Sequence, residues 1–164
     1  LRPQGPRLTL TALVGSLLEV GYWLPTKDGD ARARSIFQRH YSHRSYADGR
    51  QPKLFVGPGE KIVLITWQGN ALFVWRKFIS MDSQEGVNCA AFRNEGSILS
   101  SLLILDAERH AAARWPGDRL YTYVNPRKIR SVNPGACFKA AGWTTCGQSK
   151  GGLVILEKVQ RPRP

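Results

Sequence analysis

The sequence predicts one α/β domain spanning residues 1–164, a mixed central sheet flanked by helices. Strand-like runs at 61–67, 71–78, 87–92, 120–124 and 152–158 are interleaved, from residue 87 onward, with helical periods, an order that mixes antiparallel and parallel pairing. An apolar content of 42% over 164 residues is enough to bury one core of substantial size. No internal repeat or central linker divides the chain.

Each element has a local cause. Residues 1–7 carry two Pro and a Gly, and residues 161–164 alternate Arg with Pro, so both ends read as flexible tails. Residues 31–42 follow a helical period, with Ile36, Phe37 and Tyr41 on one side, Arg32, Arg34 and Arg39 around them, and Asp28 or Asp30 placed to cap the start. A basic loop over 44–53 and the Gly57-Pro58-Gly59 turn lead to a hairpin, 61–67 with 71–78, closed by Gln68-Gly69-Asn70. The third strand, 87–92, feeds through a polar turn into a helix over 98–115. Its apolar positions Ile98, Leu102, Leu105 and Leu99, Leu103, Ala107 keep the 3.6-residue period until Pro116-Gly117 ends it. After the strand at 120–124, Asn133-Pro134-Gly135 opens a short helix that Gly142 stops.

Twenty-four Lys and Arg against twelve Asp and Glu give a formal charge of +12 and a pI of about 10.2. Such an excess on a small domain attracts polyanions and points to nucleic acid, with Arg39, His43, Arg44, Arg50, Lys53, Arg127, Lys128 and Arg130 as the binding residues. Coenzyme phosphates, or a basic surface serving only solubility, would also account for the charge. Three cysteines without C-x-x-C spacing suggest neither a zinc site nor a disulfide framework, and imply a reducing, cytoplasmic setting. The longest apolar candidate, residues 8–23, is broken by Gly15, Glu19 and Gly21, so neither a membrane span nor a membrane partner is expected.

Two clusters carry candidate chemistry. At Phe92, Arg93, Asn94, Glu95, Gly96 and Ser97 a strand breaks into a helix, where unpaired N–H groups and the helix dipole favour a phosphate-bearing ligand. A plain capped turn, or a salt bridge from Arg93 to Glu95 or Asp106, is the alternative there. The second cluster is His40-Tyr41-Ser42-His43, where an imidazole titrating near neutrality sits beside two hydroxyls. Its alternative is that Tyr41 packs the helix inward while His40 and His43 face a phosphate backbone. Asn133 is a further cofactor candidate or a local cap, Cys137 is read as core packing, and no spacing establishes a metal site.

The order of elements, the Arg93-to-Ser97 turn before the central helix, and Asn133-Pro134-Gly135-Ala136-Cys137-Phe138 continuing to Gly142-Trp143 resemble the GNAT acyltransferase fold. In that superfamily one strand splays from its neighbour, the turn before the central helix holds the coenzyme A pyrophosphate, and a later short helix ends in a Gly-aromatic pair. Gly142-Trp143 matches that pair, whereas the turn departs from the usual Gln/Arg-x-x-Gly-x-Gly/Ala pattern. A narrower resemblance covers residues 23–157 through His40-Tyr41-Ser42, Phe55-Val56-Gly57-Pro58-Gly59-Glu60, Leu72-Phe73-Val74-Trp75, Phe92-Arg93-Asn94-Glu95 and Asn133-Pro134-Gly135. These look like the phage Mom-type DNA-modification family, whose founding member alters the exocyclic amine of adenine so that restriction enzymes fail to cut.

The resemblance implies a transferase using acetyl-CoA or a related acyl-CoA, double-stranded DNA as substrate, a host-cytoplasmic setting, and iron by family association alone. An exocyclic amine is a poor nucleophile because its lone pair is delocalised, so such a site needs a nearby base. His40 is the candidate base, with Tyr41 and Ser42 completing the catalytic set. A GNAT acting on a small-molecule or protein amine, and a non-catalytic nucleic-acid-binding module, are the competing expectations.

Overall fold

The structure, a computed structural model, describes residues 21–129 and 133–161. The tail expected at 1–7, most of that at 161–164, the greater part of the apolar stretch at 8–23, and Arg130 lie outside the described residues. Seven strands form one sheet in the order β1-β2-β3-β4-β5-β7-β6: β1 (Trp23–Thr26), β2 (Glu60–Thr66), β3 (Ala71–Lys77), β4 (Val87–Asn94), β5 (Arg119–Val124), β6 (Thr144–Gln148) and β7 (Val154–Val159). Among the described residues three helices accompany them, α1 (Ala31–Gln38), α2 (Ser100–Arg114) and α3 (Ala136–Ala140). The expected α/β class with a mixed sheet is therefore present.

The strand period of two divides the apolar side chains between the two faces. Leu64, Phe73 and Trp75 pack under α2 with Leu103, Ile104 and Ala107, and Trp75 donates its indole N–H to the Ala107 carbonyl at 2.8 Å. Val63, Ile65, Leu72 and Val74 face the other way, onto Ala33 and Ile36 of α1. That helix starts where Asp30 accepts from the N–H groups of Arg32 and Ala33, each at 3.0 Å, and it stops at Gln38, sooner than its sequence period suggests. Asp28 has another duty: its carboxylate accepts from Phe55 and Val56, tying the 44–56 loop to the start of α1. Among the described residues no helix is long and apolar enough to cross a membrane.

Two features of β4 open the sheet on one side. Its register against β3 jumps from Trp75↔Cys89 to Val74↔Ala91, so Ala90 is the extra residue of a β-bulge that rephases the strand. Against β5 it pairs in parallel at Val87↔Leu120, Asn88↔Tyr121 and Cys89↔Thr122 only. Beyond that point β4 continues along β3 to Asn94 while β5 continues along β7 to Val124, and the two strands part like a fork.

Candidate active site

The fork opens a cavity of about 630 Å³. One wall is the turn after α1, with His40, Tyr41 and Ser42. The others are β4 from Asn88 to Phe92, the end of β5, and Asn133 and Gly135 leading into α3 together with Phe138 of that helix. The catalytic triplet expected from the sequence is thus brought together on one cavity wall, because α1 ends at Gln38 and its chain turns across the mouth of the fork.

His40 is held at Nδ1 by Ser42. Ser42 donates its backbone N–H to Nδ1 at 3.2 Å, and its Oγ lies 2.7 Å from the same atom. The Phe92 carbonyl accepts from the imidazole. The Ser42 backbone donor assigns the lone pair to Nδ1 and the proton to Nε2, which leaves the Ser42 hydroxyl as donor to Nδ1. The ring stacks 4.4 Å from Tyr41 and 6.2 Å from Phe37. Burial, reinforced by the Arg93 guanidinium and opposed by the Phe92 carbonyl, pulls the imidazole down to about 4, so it is neutral and able to accept a proton at physiological pH.

Tyr41 spans the mouth. Its hydroxyl donates to the Tyr123 carbonyl at 3.4 Å and is met by the Asn125 backbone, while burial holds its ionisation above the usual tyrosine range. It therefore acts as a neutral brace between the α1 turn and the open end of β5. Behind it, Tyr123 donates to Asp82 at 2.7 Å; Ser80, at the same distance, together with that tyrosine keeps the Asp82 carboxyl below its ordinary range.

The 93–97 turn differs from the expectation of a phosphate cradle. Arg93 and Asn94 belong to β4, and none of Arg93, Asn94, Glu95, Gly96 or Ser97 lines the cavity, whereas Phe92 and Asn133 do. Two of the N–H groups that a cradle would offer are already used: Glu95 donates to the Asn70 carbonyl at 2.8 Å and Gly96 to Asn94 Oδ1 at 3.0 Å. Glu95 bridges Arg39, at 2.6 Å, and Arg93, at 2.8 Å, and these two guanidiniums pull its carboxyl down to about 2. The salt-bridge alternative for Arg93 is the arrangement found. Gly96 is small for a packing reason, since a Cβ there would lie 2.5 Å from the Asn70 amide. Gly96→Val is accordingly expected to cost about 1–3 kcal/mol of stability, read as a lowered urea midpoint. An unchanged midpoint would return Gly96 to the ligand-binding role.

The basic residues fall into separate groups. Arg44, His43 and Lys128 line the cavity, Arg127 and Lys53 are exposed, Arg39 is committed to Glu95 and Arg50 to Asp48. Arg130 lies outside the described residues. Among the described residues no group of three or more His, Cys, Asp or Glu is placed to hold a metal ion, so no ligand set can be named for the iron of the resemblance. Cys89 and Cys137 lie in the cavity wall with their thiols pushed up by burial, which keeps them protonated and unreactive.

One wall residue escapes sequence reasoning. Asn88 is only 7% exposed, contributes to the cavity, and has an Oδ1 with no hydrogen-bond partner. A lone amide inside the apolar run Val87-Asn88-Cys89 is the signal that could find it. Comparison with protein families, with curated proteins and with solved structures finds no match for this chain.

Proposed function

We propose that the chain is a GNAT-like acyltransferase that modifies a base in double-stranded DNA, with the exocyclic amine of adenine as acceptor. The observation that carries this reading is the β4–β5 fork, whose cavity has the Ser42–His40 pair on its wall and Arg44 and Lys128 at its edge. Beyond Cys89 the β4 edge that faces β5 has no strand partner, so backbone donors there suit a polarised carbonyl. The wall formed by Ala90, Ala91, Phe92 and Phe138 suits the slender arm of an acyl-CoA, whose amides can meet the open β4 edge, and Phe92 and Asn133 are the cofactor contacts this reading retains. When bound, that cofactor supplies an acyl group activated as a thioester.

The chain's own residues then handle the proton. Ser42 Oγ is positioned to accept a proton from the incoming amine as it passes its own to His40 Nδ1. The Phe92 backbone favours the imidazolium as it forms. Tyr41 keeps the α1 turn and the end of β5 at a fixed separation.

Nucleoside mass spectrometry of DNA from cells expressing the protein tests the reaction, with a modified adenine as the expected result. Tight acetyl-CoA binding with no altered base would instead favour a small-molecule or protein amine, and no acetyl-CoA binding would favour a non-catalytic module. DNA affinity is expected to fall linearly on log–log axes with salt, by a slope of about 0.9 per phosphate contacted. Lys128→Ala should reduce that slope by about one contact. A salt-independent association would remove DNA as the substrate.

A further inference from the structure

A second cavity, of about 390 Å³, adjoins the first. It is enclosed by α1 and the 42–55 loop, and the two cavities share Ser42, His43 and Arg44 as their common partition. Its lining combines aromatic faces, Phe37, Tyr46 and Phe55, with the guanidiniums of Arg34, Arg44 and Arg50, and no Asp or Glu among the described residues contributes to it. The rings are not scattered. Tyr41, His40, Phe37 and Phe55 form a stacked series at 4.4, 6.2 and 5.0 Å that runs from the wall of the first cavity into the second. Tyr46, 48% exposed, carries the Arg50 guanidinium 5.2 Å from its ring centroid, which restricts the ring without burying it.

Arg50 is held by Asp48, which leaves Arg34 and Arg44 as the guanidiniums without a carboxylate partner among the described residues. Aromatic rings interleaved with such guanidiniums are what a nucleobase and its phosphate require: a flat apolar partner for the base and positive charge for the diester. A core-packing cluster would not need Arg34 and Arg44, neither of which is salt-bridged among the described residues, and a merely solvated basic face would not border a ring-lined volume. Because the partition is only the Ser42–Arg44 turn, a strand with one base in the first cavity can set its neighbour in the second, with the intervening phosphate beside Arg44.

We propose that this second cavity binds the nucleotide flanking the target, stacking its base on Tyr46 and pairing its phosphate with Arg44, so that the enzyme reads the base next to the one it modifies. The inference rests on the DNA-modification reading for its biological role and on the cavity itself for the binding site.

The test is a fluorescence titration of the full chain with DNA trinucleotides that carry 2-aminopurine beside a central adenine. Stacking is expected to quench the probe with the parent protein. Tyr46→Ala should abolish the quenching and weaken affinity about ten- to a hundred-fold, and Arg44→Ala should weaken it with steeper loss at low salt. Lys150→Ala, an exposed lysine outside both cavities, is the charge control and should bind like the parent. Unchanged quenching in Tyr46→Ala, or no trinucleotide binding by the parent, overturns the pocket. Base modification measured in parallel separates pocket from function. Modified adenines whose flanking preference survives Tyr46→Ala leave the function standing without the pocket, whereas Tyr46-dependent quenching without any modified base leaves the pocket standing without the function.

Discussion

His40→Ala and Ser42→Ala should each lower base modification about a hundred- to ten-thousand-fold while leaving coenzyme and DNA affinity essentially as in the parent. A delocalised amine does not release its proton without an acceptor, and the acceptor here is a pair: the Ser42 hydroxyl, 2.7 Å from Nδ1, and the imidazole whose Nδ1 the Ser42 backbone N–H also holds. Removing either member breaks the same path, so the double variant should be little worse than the singles. The pH profile gives a second readout. Because His40 is drawn down to about 4, chiefly by burial, it stays unprotonated through the neutral range, and its contribution to the rate should be level there and fall only as the pH approaches about 4. The same shift adds stability that is fully present above an ordinary histidine's range and is lost as the pH falls toward about 4. A rate that instead declines around the usual histidine value, and loses that inflection in His40→Ala, would mean that the imidazole works in an exposed state unlike the one described. Tyr41→Phe should have a smaller effect, because its hydroxyl braces the end of β5 and does not join the proton path.

How far the sequence reveals this site depends on which physical signal each part leaves behind. The hairpin, α2 and the strands β4, β5 and β7 are legible because burial on a fixed face imposes a period on the residues. β6 leaves no such mark: Thr144–Gln148 is exposed along its whole length and is a strand only because it hydrogen-bonds to β7 at the sheet edge. β1 is four residues long with Pro25 inside it, a composition that reads as a break and is tolerated on an edge. Along α2 two apolar stripes compete in the sequence. The structure buries Leu103, Ile104, Ala107 and Ala111 and leaves Leu99, Leu102 and Leu105 exposed, a choice made by the sheet and invisible to periodicity alone. The His40-Tyr41-Ser42 cluster is legible as chemistry because its residue types are unusual together. At the 93–97 turn chain direction alone suggests free N–H groups; the Asn94 side chain that takes one is a local i to i+2 contact, whereas the Asn70 carbonyl that takes another comes from a hairpin turn whose approach no local pattern encodes.

The fork itself depends on a closed end, and Gly86→Ala should be the most damaging single-methyl change in the sheet, costing roughly 3–5 kcal/mol when backbone strain and overpacking are added. Gly86 stands just before β4 with φ of 119°, a conformation that side-chain-bearing residues rarely adopt, and an added Cβ would lie near 2.2 Å from the Arg119 carbonyl oxygen. That oxygen belongs to the backbone at the start of β5 and cannot swing aside as a side chain would. The methyl must therefore push β4 and β5 apart where Val87↔Leu120 begins their short parallel pairing. Since only three residue pairs join the strands, there is little ladder left to hold the register once the first is displaced. Gly117→Ala is the matched control, with φ of 79° but nothing within 4 Å of the new Cβ, so it should carry the left-handed backbone cost alone, about 1–2 kcal/mol. Urea unfolding of both variants reads the difference directly. Equal midpoints would mean that the close approach at Gly86 is not what zips the strands, and the cavity would then owe its shape to the Ala90 bulge and the Tyr41 brace instead.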